Sequence, residues 1–370
     1  MKLLFILGTR PDAIKLAPVI QEARKHKKIK IYICLTGQHR HMLDQVVNFF
    51  GIRPDFDLNL MEPNQNLFDI TSKAILKLGD IIKKVNPDWV IVQGDTTTTF
   101  VGALCAFYNK TKIAHVEAGL RTYNKFSPFP EEINRTLTTQ LADIHFAPTK
   151  KAEKSLLKEN IEKKKIFITG NTGIDALFYT LDKIKSIPRN KFAGSLKNID
   201  FSKKILLVTG HRRESFGKPF QEICLGLKQI AREFPNLEIV YPVHLNPNVR
   251  KTVFQILSKV NNMHLIEPLN YPSFVWLMKN SYLILTDSGG VQEEAPSIKK
   301  PVIVMRNVSE RMEGIEEGIA KLIGTKKSDI VNSVSGLLKD SKQYSKMITA
   351  KNPYGNGKAS PIIIRELLNA

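Results

Sequence analysis

Cysteine is nearly absent from this 370-residue chain: Cys34, Cys105 and Cys224 stand alone, with no CxxC spacing. That pattern argues against a disulfide framework or a cysteine metal site and points to a reducing cytoplasm. Long apolar runs are missing too. None approaches bilayer-spanning length, so no membrane insertion is expected. The opening MKLLFILGTRPD carries one lysine and too short an apolar run for a secretory signal, and it reads as a first strand. There is no GxGxxG dinucleotide fingerprint, and with no HExxH beside His39 and His41 a metal is not expected. Gly355-Asn356-Gly357-Lys358-Ala359-Ser360 imitates a phosphate loop, but lacks the GxxxxGK[ST] spacing and a preceding strand; it reads as a turn into a final helix. No internal repeat or low-complexity segment occurs.

Acid is scarce relative to base: 35 Asp and Glu against 55 Lys and Arg give a formal charge of +20. Such an excess suits nucleic acid or an acidic membrane surface when it is clustered. Here the lysines are dispersed, with no aromatic-interleaved basic motif and no basic tail. They read as a solvated surface that mildly assists anionic ligands, with no nucleic-acid partner.

What is present is alternation. Short apolar runs begin at Lys2, Ile29, Trp89, Lys112, Ile144 and Ile166, then again at Lys204, Leu237, Met263, Tyr282 and Pro301, with helical patterns between. Strands alternating with helices predict an α/β fold with parallel sheets. Two series predict two doubly wound Rossmann-like domains facing a central cleft: residues 1–170, carrying most of the carboxylates, and residues 171–355. The last helix, 356–370, is expected to pack back on the first domain. Ligands in such folds lie at the carboxyl ends of the strands, so chemistry is sought there.

The most telling unit is Tyr282 to Met305. An apolar run leads into Thr286-Asp287-Ser288-Gly289-Gly290, then helix-forming Val291 to Ala295, ended by a proline and lysines, and a second apolar run. Free N–H groups and the dipole at that helix N-terminus favour phosphate, although glycines also serve such turns for steric reasons alone. Glu293-Glu294, one turn inside, suit paired sugar hydroxyls and incline the loop toward a nucleotide.

Other strand ends carry Gly8-Thr9-Arg10-Pro11-Asp12, with Lys15 in the following helix, and Thr36 to His41. Further on, Asp95 precedes four threonines, Glu117 follows His115, and Glu131 opens the run that holds Arg135. Three carboxylates, two at consecutive strand ends and one on the loop or helix beyond, suit divided acid and base roles; each taken singly also reads as an ordinary cap or surface acid. The second series contributes His211-Arg212-Arg213, His244, Pro268 to Phe274, and Ser309-Glu310-Arg311.

GTRPDAIKLAP, TGQHRHMLDQV, QGDTTTTF, HVEAGLRT, FPEEINR, ITGNTGIDAL, TGHRRESFG, YPVHLNPNVR, TDSGGVQEEAPS and NPYGNGKAS occur in this order over nearly the whole chain. In these motifs it resembles the non-hydrolysing UDP-N-acetylglucosamine 2-epimerases. The resemblance implies a fold like the GT-B glycosyltransferases, a homodimer, and no cofactor or metal. It implies interconversion of UDP-GlcNAc and UDP-ManNAc by elimination of UDP to a 2-acetamidoglucal and re-addition, supplying ManNAc or ManNAcA for surface polysaccharide.

By resemblance Asp95, Glu117, Glu131, Arg135 and His211 are catalytic, while Arg10, Lys15, Phe274, Ser288, Gly289, Gly290, Glu294 and Arg311 bind UDP. Gln38, Gln65, Arg212 and His244 match part of an allosteric UDP-GlcNAc site that some members carry; Asn64 and His41 depart from it. Asp12 stands where Glu is usual, Gln93 where His is usual, Leu269 for a polar residue, and Met312 for a proline. A hydrolysing epimerase and a GT-B glycosyltransferase using a UDP-sugar are the alternative readings.

Overall fold

The computed structural model describes residues 1–37, 40–62, 65–188, 192 and 196–370, apart from the side chains of residues 40–42 and 213. Gln38 and Asn64, and the side chain of His41, lie outside the described residues. The chain divides into two compact units. The first comprises Met1–Ala176 with Tyr354–Ala370, and the second is Leu177–Pro353.

The first unit is built on β1 (Lys2–Leu7), β2 (Lys30–Leu35), β3 (Phe56–Asp57), β4 (Trp89–Gln93), β5 (Lys112–Val116), β6 (Ile144–Ala147) and β7 (Ile166–Ile168). They form one sheet in the order β3-β2-β1-β4-β5-β6-β7. Every pairing is parallel. The runs are apolar throughout rather than alternating because helices cover both faces: β4 and β6 are buried at every residue. A core of Leu4, Ile6, Val90 and Val92 from the strands meets Leu78 and Ile82 of one helix and Val101 and Ala103 of another. The C-terminal helix Ala359–Asn369 packs on the helix Arg10–Ala23. Its first backbone N–H groups, at Ala359 and Ser360, donate to the buried carboxylate of Asp175 at 3.2 and 2.8 Å.

The second unit holds β8 (Lys204–Thr209), β9 (Leu237–Pro242), β10 (Met263–Ile266), β11 (Leu283–Thr286), β12 (Val302–Val304) and β13 (Ala320–Leu322), ordered β10-β9-β8-β11-β12-β13. This sheet too is entirely parallel. In both sheets the winding reverses once, between β1 and β4 and between β8 and β11. The loops leaving these pairs diverge and leave room at the strand ends.

Three strands begin one residue later than the apolar runs suggest, at Lys30, Leu283 and Val302. The two edge strands β3 and β13 were not among the expected runs; they are only two and three residues long. The helix after β11 also differs from expectation. It spans Gly289–Ser297, so both glycines form its first turn and Pro296 lies inside it. Pro296 falls in the last turn, where a missing N–H costs a single bond before the helix ends.

Gly119, just after β5, shows how tightly these strand exits are packed. Its φ is +91°, and a Cβ there would lie 2.3 Å from the Ala152 carbonyl oxygen and 3.0 Å from Leu156 Cγ. Gly290 has no neighbour within 4 Å of the same point. Gly119→Ala should therefore cost about 3 kcal/mol or more from overpacking and left-handed strain together, whereas Gly290→Ala should leave stability nearly unchanged. Urea unfolding of the two variants checks this; equal midpoints would refute the packing argument.

Candidate active site

At the reversal in the first sheet, Asp12 closes the turn after β1. Its carboxylate accepts from the backbone N–H of Gly8 and Thr9 at 3.1 and 3.0 Å, and from the Thr9 hydroxyl at 2.8 Å. Burial pushes its pKa up to about 6, against the lowering effect of the Thr9 and Gly8 donors and with a further upward push from Asp95. Next door, Gly94 follows β4, and its carbonyl accepts from Nε2 of the buried His115 at 2.8 Å. This fixes the turn that presents Asp95, and Thr96 caps the following helix by accepting from Thr99 N.

Two carboxylates emerge here, each held by a cation. Asp95 accepts from Arg135 at 2.7 Å, and the Arg135 side chain is only 4% exposed. Asn134 donates to the Asp95 backbone carbonyl at 3.0 Å, so one helix turn holds both ends of that residue. Glu117 follows β5 with φ +65°, a left-handed conformation that non-glycine residues rarely adopt. Its side chain forms an ion pair with Lys15 and accepts from Asn171 Nδ2 at 3.3 Å. Glu131 is the first residue of the helix Glu131–Leu141, four residues before Arg135 and on the same helical face. The loop leading to it is closed by the buried Glu132, whose carboxylate accepts from the backbone N–H of Thr122 and Tyr123.

At the reversal in the second sheet the organiser is Asp287, 1% exposed after β11. One oxygen accepts from the backbone N–H of His211 and Arg212 at 2.6 and 2.8 Å. The other lies 3.2 Å from His211 Nδ1. That contact is within ion-pair distance but lacks hydrogen-bond geometry. The His211 ring stacks on His244, with centroids 5.3 Å apart.

Ser288, Gly289 and Gly290 form the start of the adjoining helix. The Arg311 guanidinium lies against Gly289, where a Cβ would stand 2.8 Å from Cζ. Arg311 donates to Glu293 at 2.9 Å and also pairs with Glu310. Glu310 is shared with Arg306 at 3.0 Å and, at 3.9 Å, with Arg212. Burial alone would raise Glu310, but the guanidiniums of Arg311, Arg306 and Arg212 hold it well below the usual carboxylate range. Glu294 is buried beside Tyr271, whose hydroxyl is 3.4 Å away. Phe274 is half-buried on the helix Tyr271–Asn280.

Asp95, Glu117, His211, His244 and Ser288 follow directly on strand ends, Lys15, Phe274 and Glu294 lie within the helices that come next, and Glu131 and Arg135 lie on a helix well beyond β5. The Gln65 side chain instead ties its own loop, accepting from Glu62 N and donating to Leu60 O. Arg10 is half-buried at the start of its helix. The structure joins Asp95 to Arg135, Lys15 to Glu117, and His211 to His244. Asp287, Asn171, Glu132 and Glu310 carried no role in the sequence reading, although all but Glu310 lie within its quoted motifs; their partners are set by strand order. Among the described residues no group of three His, Cys, Asp or Glu could hold a metal, and no helix is long and apolar enough to cross a membrane.

The histidines beneath Gly94 make the first unit acid-sensitive. His115 and His145 are partners across β5 and β6, both fully buried. Burial lowers them from 6.5 to about 4 and about 3 respectively. Between those values and 6.5 the unfolded chain binds protons that the folded one refuses. Their contribution is therefore complete above about 6.5 and drains away as pH falls. Asp12, raised from 3.8 to about 6, acts in the opposite sense over its own window. His145→Leu should narrow the stability gap between pH 7 and pH 5 by roughly 2 kcal/mol, about 1.4 per pH unit below 6.5. Denaturant unfolding at the two pH values measures the gap; an unchanged gap would rule out His145 as a source.

The UDP-N-acetylglucosamine 2-epimerase family model matches residues 21–368. The chain is 51% identical to the UDP-N-acetylglucosamine 2-epimerase of Campylobacter jejuni, over 99% of this chain and 97% of that one. It is likewise 51% identical to the Escherichia coli K12 enzyme of the same name, over 100% and 99%. The crystal structure of the Neisseria meningitidis UDP-GlcNAc 2-epimerase bound to UDP-GlcNAc superposes with a TM-score of 0.96, at 48% identity and with full coverage of both chains.

Proposed function

The chain belongs to the UDP-N-acetylglucosamine 2-epimerase family, and from that premise we propose that it interconverts UDP-GlcNAc and UDP-ManNAc by eliminating and re-adding UDP. The C2 proton of the sugar is not adjacent to a carbonyl and is hardly acidic, so its removal must accompany departure of a leaving group. A carboxylate takes the proton, the C2–H electrons become the C1=C2 bond of a 2-acetamidoglucal, and the C1–O electrons leave with the diphosphate. Protonation of C2 from the opposite face and return of UDP to C1 give the epimer. The scheme needs at least two carboxylates in different environments and cations for the diphosphate.

The observation that carries this reading is Glu117, gripped by Lys15 and Asn171 in a left-handed conformation beside the Asp95–Arg135 pair. We assign Asp95, Glu117 and Glu131 to the proton transfers and to the positive charge developing at C1, with Arg135 orienting Asp95. His211 meets the departing phosphate. Ser288, Gly289, Gly290, Glu294, Arg311 and Phe274 of the second unit are assigned to UDP binding, as are Arg10 and Lys15 of the first. Such an enzyme would act in the cytoplasm and supply ManNAc units for surface polysaccharide.

The helices Leu67–Val85 and Thr97–Tyr108 pack on one another and leave Phe68, Leu76, Phe107 and Tyr108 exposed, at 86, 72, 56 and 67%. Apolar side chains concentrated in this way support a homodimer. Sedimentation should give twice the chain mass; a monomer at micromolar concentration would exclude it.

Incubated alone with UDP-GlcNAc in D₂O, the protein should place deuterium at C2 only and accumulate UDP-ManNAc as the minority species. Release of free ManNAc, or a requirement for an acceptor, would favour the hydrolase or the transferase. Glu117→Gln should lose at least about two orders of magnitude in kcat while still binding UDP. Glu294→Gln should weaken UDP by roughly 1.5–3 kcal/mol with kcat largely kept. Calorimetric titration beside steady-state rates decides, and the reverse pattern would remove Glu117 from the chemistry.

A further inference from the structure

Asn171 is 1% exposed, and all of its polar groups are engaged. Its backbone N–H donates to the Tyr354 carbonyl at 2.8 Å. Its Oδ1 accepts from Gly173 N at 2.7 Å, capping the helix Thr172–Ile184. Because an N–H can only be met by an acceptor, this bond fixes the orientation of the amide. The Nδ2 group must then face the Glu117 carboxylate, 3.3 Å away.

Beside it Gly170, at φ +87°, lies against the returning chain. A Cβ there would be 3.3 Å from both Gly355 Cα and the Tyr354 carbonyl oxygen. Asn171 thus cannot withdraw from Glu117 without breaking a cap and parting two closely apposed backbones.

We propose that Asn171 is a positioning residue for the epimerisation, holding Glu117 ionised and aimed by donating an amide N–H from a rigid backbone clamp. The inference rests on the assignment of Glu117 to proton transfer. Lys15 pairs with the carboxylate but is a flexible point charge on a four-carbon stem. Asn171 supplies direction. Among the described residues, the charged and titratable groups near Glu117 include His115 on the preceding strand and the Asp95–Arg135 pair after β4.

Asn171→Ser and Asn171→Asp both keep a cap acceptor for Gly173 and remove the amide N–H that reaches Glu117, the serine hydroxyl being on too short a stem to replace it. Glu117 is followed directly by carbon NMR of δ-labelled glutamate, its resonance identified by loss in Glu117→Gln. Its titration should move up by roughly one pH unit in Asn171→Ser, the equivalent of a lost hydrogen bond to a charge. It should move further in Asn171→Asp, where a like charge replaces the donor. The acid limb of the kcat profile should follow, with UDP affinity kept within about twofold, the signature of an interaction made only in the chemical steps. A Glu117 titration unmoved in both variants overturns the inference. A titration that moves while the acid limb stays fixed upholds Asn171 as the partner of Glu117 and instead removes Glu117 from proton transfer.

Discussion

A backbone N–H buried at the end of a strand or the start of a helix must find an acceptor, and in this protein that acceptor is repeatedly a carboxylate. Asp12 serves Gly8 and Thr9, Asp287 serves His211 and Arg212, Glu132 serves Thr122 and Tyr123, and Asp175 serves Ala359 and Ser360. Asp88, Asp55 and Asp143 do the same for Lys2, Ile33 and Ile113. These bonds reach from three positions along the chain, at Asp12, to 185, at Asp175, and hold loops in place. The turn that carries Arg10, the loop that delivers Glu131 and the pair His211–Arg212 all hang from such an acid. In a chain with 35 acidic residues and a charge of +20, many of the acids are structural, and the basic excess reflects this as well as any affinity for anions.

Most of the strands were legible because a parallel sheet covered on both faces demands unbroken apolar runs, and these stand out against the charged helices. The edge strands β3 and β13 were not, since two or three residues carry no periodicity. The candidate site was legible as a set of residues and illegible as a set of pairs. Lys15 and Glu117 are separated by 102 positions, and His211 and Asp287 by 76. Only the order β2-β1-β4-β5 brings the first pair together, and only β8 beside β11 the second. Asp287 illustrates the loss. In sequence it is one polar residue of a glycine turn, whereas in the fold it is the buried anchor of the neighbouring strand's loop.

The two sheets divide the work by the kind of rigidity they supply. In the first, Glu117 pairs with Lys15 and Asp95 with Arg135. In the second, Glu310 and Glu293 are consumed by guanidiniums, which keeps Arg311 flat against Gly289. A carboxylate shared among three arginines is a poor base and a good brace. The local charge ratio, rather than the residue type, separates the two uses.

The first unit is sewn shut by its last residues: Tyr354 receives Asn171 N–H, and the helix Ala359–Asn369 covers the helix Arg10–Ala23. The second unit is one uninterrupted stretch, Leu177–Pro353. During synthesis from the N-terminus, the first unit is therefore begun first and finished last. The apolar face of its opening helix and the amide that meets Glu117 wait until the second unit has been synthesised. Loss of Tyr354 and the residues after it would leave the second unit whole and the first unsealed, and would remove the carbonyl that anchors the backbone of Asn171.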